Sequence, residues 1–338
     1  MHEQFPVKLQ NQTYMSLRIT NLSKRYSNKW ILRDVSLEAA AGEVLGIFGA
    51  TGSGKSVLIR AISGVEKTNG GSVHYRDADV TTLSCEDRRF HSPILTGDSF
   101  WKTLFKTNKP SQIADGDGQI AAMEEALDRA DGVLLLDNSF CNVDHHLRAK
   151  TYERLRRVTK EKNLSVVFAT NDYEEICLTC DRVAVLADGE VKQIGTPQEV
   201  YEKPATAGVA AIVGRNNLFK ARRLTSNKIE LPEFLTIEGN HRLFAQKTEK
   251  NALGAINQDI TLAIRPEHIS MSFGASFPED NLLKAIVTDV RYLGPTTLVH
   301  LDCSGLKLEA MVLRLVGLDI GDECMVGLPP DRILILKA

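Results

Sequence analysis

The sequence predicts an α/β domain built around a doubly wound, mostly parallel sheet, followed by a smaller all-β domain. Up to about residue 214, apolar strand-like runs alternate with segments of helical periodicity, a pattern typical of sheets covered by helices on both faces. From residue 215 to residue 338, short strands and turn signals predominate. In addition, a glycine-rich segment near residue 50 separates an apolar strand from a helix.

Composition describes an ordinary globular chain without a dominant charge. The 338 residues are 43% hydrophobic, which suffices for two or three domains, and the formal net charge is −2. So small a net charge gives no global attraction to nucleic acid or to an anionic membrane. No apolar run reaches the ~20 residues of a membrane-spanning helix, and the N-terminus lacks the pattern of a signal peptide. We therefore expect a cytoplasmic protein with a disordered segment over residues 1–15.

The first half of the α/β domain begins with antiparallel strands. Residues 17–20 and 31–37 alternate apolar and polar side chains, as strands with one polar face do. The apolar run Val44–Phe48 predicts a buried strand, Val57–Ile62 predicts a helix, and Gly70–Tyr75 predicts a further strand. The glycine-rich segment thus has a strand before it and a helix after it.

The second half of this domain continues the alternation of helix and buried strand. Residues 119–130 have the spacing of an amphipathic helix, and Gly132–Asp137 is an apolar run that ends in an acid. Residues 143–162 predict another helix, and Leu164–Thr170 predicts another buried strand. Two elements complete the domain, a helix capped by Asp172 and a hairpin that turns at Asp188-Gly189.

The glycine-rich segment constrains function more tightly than any other part of the chain. It satisfies the phosphate-binding motif G-x-x-x-x-G-K-[ST] at every fixed position, and with the next residue it comprises Gly49, Ala50, Thr51, Gly52, Ser53, Gly54, Lys55, Ser56 and Val57. Backbone N–H groups of such a loop surround a triphosphate, and the helix N-terminus adds positive potential. We expect Lys55 to reach the terminal phosphates and the Ser56 hydroxyl to ligate Mg²⁺. Asp137 is expected to hold the same Mg²⁺ through water.

Residues 16–214 as a whole resemble an ABC-type ATPase subunit, and most closely the importers that power uptake of sugars, sulfate, iron or polyamines. The segments that carry this resemblance are Asn21-Leu22-Ser23-Lys24-Arg25-Tyr26, Leu134-Leu135-Leu136-Asp137, Asp181-Arg182-Val183-Ala184-Val185 and Gln193-Ile194-Gly195-Thr196-Pro197. Residues 215–338 resemble the OB-like TOBE domain of these importers, through Ile264-Arg265-Pro266-Glu267-His268 and Tyr292-Leu293-Gly294.

The resemblance implies a P-loop NTPase fold of ABC type with ATP and Mg²⁺ as cofactors. It implies that Tyr26 stacks on adenine and that Asp144 is the acid of the D-loop, a dimer contact. It also implies membrane permease subunits and a solute-binding protein as partners, and a dimer with itself or a related ATPase subunit. The expected location is the cytoplasm, peripheral to the inner face of the plasma membrane.

Several catalytic positions depart from the family pattern. The family's glutamate that polarises the attacking water is Asn138 here, and an amide cannot accept a proton at neutral pH. The switch histidine is replaced by Asn171, which can donate a hydrogen bond but does not titrate. The resemblance implies that His91 stands where the family has its Q-loop glutamine. These replacements predict an ATPase whose hydrolysis is weak or lost.

The signature loop, which caps the phosphate held by the opposite subunit in the family, is also altered. Its candidate residues are Asp115, Gly116, Asp117, Gly118 and Gln119. Two carboxylates would then face a triphosphate, and like charges repel strongly when desolvated. The family's helical subdomain is expected to be truncated here, over about residues 88–118. Because this subdomain grips the membrane partner in the family, its truncation puts coupling to transport in doubt.

Three functions are compatible with these features to different degrees. The first is the ATP-binding subunit of an importer, favoured by the importer-like sequence of residues 181–204 and by the β-rich tail. The second is a non-transport regulatory or sensor module on the same scaffold, favoured by the altered signature. A nucleic-acid-associated protein has little support, because the only local basic cluster is Lys220-Ala221-Arg222-Arg223.

Overall fold

The computed structural model describes residues 16–92, 116–140, 143–225, 231–245, 253–272, 281–313 and 317–336. The predicted disordered N-terminus, Asp115 and most of the predicted helical subdomain lie outside these ranges. The chain divides into two compact units, residues 1–198 and 199–338. This division precedes the change in sequence pattern after residue 214, so the boundary at 214/215 stays a prediction.

The first unit contains the alternation of strands and helices that the sequence predicts. In chain order its elements are β1 (Leu17–Tyr26), β2 (Lys29–Ala39), β3 (Glu43–Phe48), α1 (Lys55–Ser63), β4 (Gly70–Tyr75), β5 (Ala78–Asp79), α2 (Cys85–Arg88), α3 (Gly116–Arg129), β6 (Val133–Asp137), α4 (His145–Glu161), β7 (Ser165–Thr170), α5 (Tyr173–Thr179), β8 (Arg182–Ala187) and β9 (Glu190–Gly195).

Two sheets organise this unit. The antiparallel sheet has the order β2-β1-β4-β5, and the second sheet has the order β6-β7-β3-β8-β9. In the second sheet β6, β7, β3 and β8 run parallel, and β9 pairs antiparallel with β8 through the predicted hairpin. Every residue of β3 and β7 is buried, as strands covered on both faces require. The predicted doubly wound α/β core is therefore confirmed.

Aromatic side chains fill the space between the second sheet and α4. The Phe140 ring makes edge-to-face contacts with Phe168 of β7 and with Tyr152 of α4, at centroid distances of 5.5 and 4.9 Å. Phe140 lies three residues after Asp137, so this packing holds the chain that leaves β6 against the sheet. The contacts thereby fix the direction of the segment that carries Asn138.

Helix boundaries differ slightly from the predicted ones. The helix expected over 119–130 begins three residues earlier, so Gly116–Gln119 form the first turn of α3 rather than a loop before it. The sequence pattern missed this turn because the first N–H groups of a helix have no intrahelical partner and the turn buries no apolar stripe. By contrast, Asp172 caps α5 as predicted, its carboxylate accepting a hydrogen bond from the N–H of Glu174 at 2.9 Å.

In its described ranges, the second unit has two short α-helices followed by strands, with 3-10 turns at Pro266–His268 and Pro330–Arg332. Its elements are α6 (Pro197–Glu202, which contains the division), α7 (Ala207–Ile212), β10 (Asn217–Arg223), β11 (Glu233–Thr236), β12 (Arg242–Phe244), β13 (Asp259–Ile264), β14 (Ser270–Ser272), β15 (Asn281–Tyr292), β16 (Thr297–Cys303), β17 (Leu306–Val312), β18 (Glu323–Leu328) and β19 (Leu334–Leu336). The strands form two five-stranded sheets, β12-β11-β10-β13-β19 and β14-β18-β15-β16-β17. One apolar core lies between them, so the predicted OB-like all-β domain is confirmed.

Hydrogen bonds of the buried Arg265 side chain explain why the two helices join this unit. The Arg265 guanidinium donates to the carbonyl oxygens of Val213 and Tyr201, at 2.5 and 2.6 Å, and to that of Arg215 at 2.8 Å. Ala210 of α7 packs on Ala263 and Leu336 in the same unit. None of the helices described here is long and apolar enough to cross a membrane.

The packing of Phe168 predicts a large loss of stability on truncation. Its side chain is fully buried, so Phe168→Ala should lower the free energy of unfolding of the first unit by about 3–5 kcal/mol. Urea unfolding followed by circular dichroism measures this change. The matched control is Leu178→Ala, on the exposed side of α5, which should change stability by no more than about 0.5 kcal/mol. Equal losses in the two variants would contradict the packing described above.

Candidate functional site

The glycine-rich loop occupies the carboxyl end of β3. Gly49 follows Phe48 directly, and a Cβ atom at Gly49 would lie 2.2 Å from the carbonyl oxygen of Leu186, so only glycine fits there. At the other end of the loop, Gly54 has a φ of 107° at the N-cap position of α1, a conformation that L side chains rarely adopt. The two glycines thus set where the loop begins and how it enters the helix.

Lys55 lies inside its own loop. Its residue is only 6% exposed, and its ammonium donates hydrogen bonds to the carbonyl oxygens of Gly49 and Ala50, at 2.7 and 2.9 Å. Burial lowers the pKa of Lys55, and the nearby charge of Asp137 partly opposes this effect. The ammonium is therefore held at the centre of the loop, where a phosphate group would meet it.

Ser56 and Asp137 come together from different elements. The Ser56 hydroxyl, in the first turn of α1, donates to a carboxylate oxygen of Asp137 at the end of β6, at 3.1 Å. Burial raises the pKa of Asp137, while the Ser56 hydrogen bond and the charges of Arg60 and Lys55 lower it. Hard oxygen donors of this kind suit Mg²⁺, which usually takes one or two protein ligands beside phosphate oxygens and water. The pair therefore fits the metal that the motif predicts.

The loop also contains an unsatisfied polar group. The Ser53 hydroxyl oxygen is buried and makes no hydrogen bond to any residue that the structure describes. A Cβ atom at Gly49 would lie 2.7 Å from it, so the hydroxyl faces the inside of the loop. A buried hydroxyl without a partner is costly, and a bound phosphate oxygen would satisfy it. This observation agrees with an anion as the ligand of the loop. The remaining loop residues Ala50, Thr51 and Gly52 are exposed.

Asn138 stands next to the metal-binding pair. Its backbone has a φ of 45°, in the left-handed region that Asn tolerates better than most residues, and its N–H donates to the Ala169 carbonyl at 2.8 Å. The side-chain amide lies 3.5 Å from the Asp137 carboxylate and is exposed. The structure thus places an amide, which cannot take up a proton, at the position predicted for the general base.

Asn171 follows β7 and is exposed at the same edge of the sheet. Thr170, just before it, donates to the buried Glu175 carboxylate at 2.5 Å, and Tyr152 donates to the other oxygen of Glu175 at 2.9 Å. Burial raises the pKa of Glu175, against the hydrogen bonds from Thr170 and Tyr152. Sequence reasoning missed these Glu175 contacts, because Glu175 has the spacing of an ordinary polar position on α5.

Tyr26 lies at the end of β1, where a two-residue turn connects it to β2. The residue is 43% exposed, and its hydroxyl donates a hydrogen bond to Glu66. Burial raises the pKa of Tyr26, and the Glu66 hydrogen bond adds to this rise. The sequence pointed to Tyr26 through its resemblance alone and did not single out Glu66.

The other predicted site residues in the described ranges lie at the starts of two helices and beside β6. Gly116–Gln119 lie in the first turn of α3, and Asp115 is outside the described residues. Asp144 occupies the N-cap position of α4, where its side chain makes no capping hydrogen bond. His91 continues the sheet beyond β6, since its N–H donates to Val133 at 2.9 Å and its carbonyl accepts from Leu135 at 2.8 Å. Backbone pairing therefore places His91 beside the first half of β6.

Family comparisons agree with the geometry. The ABC transporter family matches residues 32–99, and the TOBE domain family matches residues 262–336. The spermidine/putrescine import ATP-binding protein PotA of Haemophilus ducreyi is 30% identical over 343 residues, which cover 89% of this chain and 89% of that protein. The sulfate/thiosulfate import ATP-binding protein CysA of Bacillus cereus is 27% identical, with 95% of this chain and 100% of that protein covered.

Solved structures share the fold. A nucleotide-free ATP-binding cassette from an ABC transporter superposes with a TM-score of 0.51 at 18% identity, over 60% of this chain and 99% of that one. An ATP-binding cassette in its ADP conformation gives a TM-score of 0.50 at 19% identity. Fold and loop together therefore define an ABC-type ATP-binding cassette. The chain belongs to the import ATP-binding subunits of ABC transporters and carries a TOBE domain.

The partly buried Asp137 carboxyl predicts a pH dependence of stability. Because burial raises its pKa in the folded chain above 3.8, the folded state holds the proton more tightly than the unfolded state. The free energy of unfolding therefore falls as pH rises from the unfolded pKa through the folded one. Asp137→Asn removes this loss, so the variant should become more stable than the parent as pH rises through that window.

Urea unfolding without nucleotide or Mg²⁺, from about pH 4 to about pH 7, measures the difference between the two proteins. Asp77→Asn, at an exposed turn after β4, is the matched control for the loss of one carboxylate. A difference between Asp137→Asn and the parent that does not change with pH would contradict the effect of burial.

Proposed function

We propose that this chain binds Mg-ATP at residues 49–57, acts with membrane permease subunits of an importer, and hydrolyses ATP weakly or not at all. The observation that carries the proposal is the cluster of Lys55, Ser56 and Asp137 beneath an intact glycine loop, with Asn138 beside it. Membership of the import ATP-binding family supports ATP as the nucleotide and a permease as the partner.

Binding would use groups that are already in place. The Lys55 ammonium would exchange the carbonyl oxygens of Gly49 and Ala50 for phosphate oxygens, which carry more charge. Ser56 and Asp137 would hold Mg²⁺, which neutralises charge on the terminal phosphates when bound. The N–H groups at the start of α1 would face the same anion. Phosphate recognition therefore rests on this chain's own loop and helix.

Turnover would be limited by the two asparagines. The Asn138 amide can orient water near Asp137 but cannot accept its proton, and Asn171 offers no titratable group at the end of β7. A positioned general base is worth roughly 10²–10⁴-fold in rate. With both positions replaced, the proposal separates nucleotide binding from hydrolysis.

The wider assembly is proposed from the family. Residues 16–214 would form the cassette and residues 215–338 the TOBE domain. The cassette would dimerise with itself or with a related ATPase subunit through the Asp144 segment, at the inner face of the plasma membrane. A solute-binding protein would deliver the transported substrate to the permease.

A regulatory or sensor module without a transport role is the second candidate. In sequence, only residues 93–115 connect the His91 bridge to α3, which leaves little chain for the helical subdomain that grips a permease in the family. Genes for a permease and a solute-binding protein beside this gene would favour the importer. Their absence, together with a soluble partner that co-purifies with the chain, would favour the regulatory module.

Lys55→Ala should strongly weaken nucleotide binding. Charge-assisted hydrogen bonds contribute about 1.5–3 kcal/mol each, so the affinity for Mg-ATP should fall at least about tenfold. Isothermal titration calorimetry measures binding, and phosphate release measures turnover, which should be near background in both proteins. Lys160→Ala, on an exposed face of α4, should bind like the parent. Robust hydrolysis that depends on Lys55 would contradict weak turnover.

Restoring an acid at position 138 should not restore turnover alone. Asn138→Glu supplies a proton acceptor next to Asp137, but Asn171 and the altered signature segment remain. We expect phosphate release to stay near background, with Asn138→Gln as the control of similar size. A rise of about 100-fold or more in Asn138→Glu would show that the missing base was the only defect.

A further inference from the structure

The ring of Tyr26 is held at its edge and over one face. Its hydroxyl donates to Glu66, and the Lys24 ammonium lies 5.1 Å from the ring centroid. The ammonium is anchored in turn, since it donates to the Lys67 carbonyl at 2.6 Å. An exposed tyrosine at the end of a strand would otherwise be free to rotate about its side-chain bonds. The contacts therefore keep the ring in one orientation.

Glu66 is the centre of this arrangement. One carboxylate oxygen accepts the Tyr26 hydrogen bond and lies 3.4 Å from the Lys24 ammonium, and the other lies 3.1 Å from Nε of Arg60. The Glu66 side chain is only 16% exposed. Burial alone would raise the pKa of Glu66, but hydrogen bonds from Tyr26 and Arg60 outweigh it and lower the pKa. Glu66 is thus an ionised acceptor with both oxygens in use.

The same carboxylate joins two separate elements. Arg60 belongs to α1, the helix that begins with Lys55 at the phosphate loop, and the N–H of Glu66 donates to the Arg60 carbonyl at 3.1 Å. Tyr26 is the last residue of β1, a strand of the antiparallel sheet. Glu66 therefore connects the aromatic ring to the helix that carries the phosphate-binding residues.

We propose that Glu66 is a positioning residue for nucleotide binding, which holds the Tyr26 ring against α1 so that the base platform and the phosphate loop are set at a fixed separation. The inference rests on the proposed function, because it takes Tyr26 as the surface on which the base stacks. A nucleotide base stacks on an aromatic ring face to face, so the ring must present its face to the base. A ring that is already oriented loses less freedom on binding, which strengthens the complex.

The proposal predicts a loss that depends on the base. Glu66→Ala should weaken binding of Mg-ATP about fivefold, the effect of one hydrogen bond of about 1 kcal/mol, and leave binding of Mg-tripolyphosphate unchanged. Tyr26→Phe keeps the ring but removes its hydroxyl, so it should show the same pattern. Because both changes break the same contact between Tyr26 and Glu66, the double variant should lose little more ATP affinity than either single one. Glu153→Ala, an exposed acid on α4, is the control and should bind both ligands like the parent.

Calorimetric titration of the parent and these variants with the two ligands tests the proposal, with thermal unfolding to verify that each variant is folded. Equal weakening of both ligands by Glu66→Ala would show a merely structural role and overturn it. So would losses that add fully in the double variant. Tyr26→Phe removes only a surface hydroxyl, so its result stands even if Glu66→Ala does not fold.

The parent protein separates failure of this inference from failure of the proposed function. If the parent binds neither ligand, both the function and the inference are wrong. If it binds the two ligands equally tightly, phosphate recognition stands but the base platform, and with it the role of Glu66, is wrong. If it prefers ATP and Glu66→Ala keeps that preference unchanged, only the inference is wrong.

Discussion

The parallel ladder of β6, β7 and β3 pairs Asp137 with Ala169 and Phe48 with Thr170. Because the three strands end at the same level, the residues that follow them emerge at one edge of the sheet. Gly49, Asn138 and Asn171 are the first residues past that edge. The hydrogen-bond register of a buried sheet is strongly specified, since a slip of one residue would turn its apolar side chains over. Every candidate site residue on these strands depends on this register.

Opposite charges in the site are buried to different degrees and compensate one another only in part. Carbonyl oxygens hold Lys55, and a serine hydroxyl holds Asp137. Burial lowers the pKa of Lys55 and raises the pKa of Asp137, so it favours the neutral form of both groups. A bound triphosphate and Mg²⁺ would supply the missing counter-charges to both groups. The neutral amide of Asn138 adds no charge to this balance, which is why the proposed function retains binding while it lacks a proton acceptor.

Much of the first unit could be predicted from local sequence patterns. The apolar run Val44–Phe48 and the motif after it predicted the strand, loop and helix. A strand buried on both faces needs apolar residues, and the unusual backbone conformations of the loop need glycine. The start of α3 at Gly116 could not be predicted, since the first helical turn has no required apolar periodicity. The Glu175 and Glu66 contacts were missed for another reason, because each joins residues far apart in the chain.

The sequence by itself determined the phosphate loop, the doubly wound core and the β-rich tail, and it predicts that Asn138 and Asn171 stand at catalytic positions of the family. Residue identity and short spacing suffice to indicate those features, because each depends on residues close together in the chain. Only the tertiary structure decided that Ser56 meets Asp137, that Lys55 lies within its own loop, and that Glu66 links Tyr26 to α1. The contacts of Ser56 and Glu66 join separate elements, so they exist only once sheet register and helix packing have brought the elements together. Lys55 is enclosed only once its own loop has folded around its ammonium.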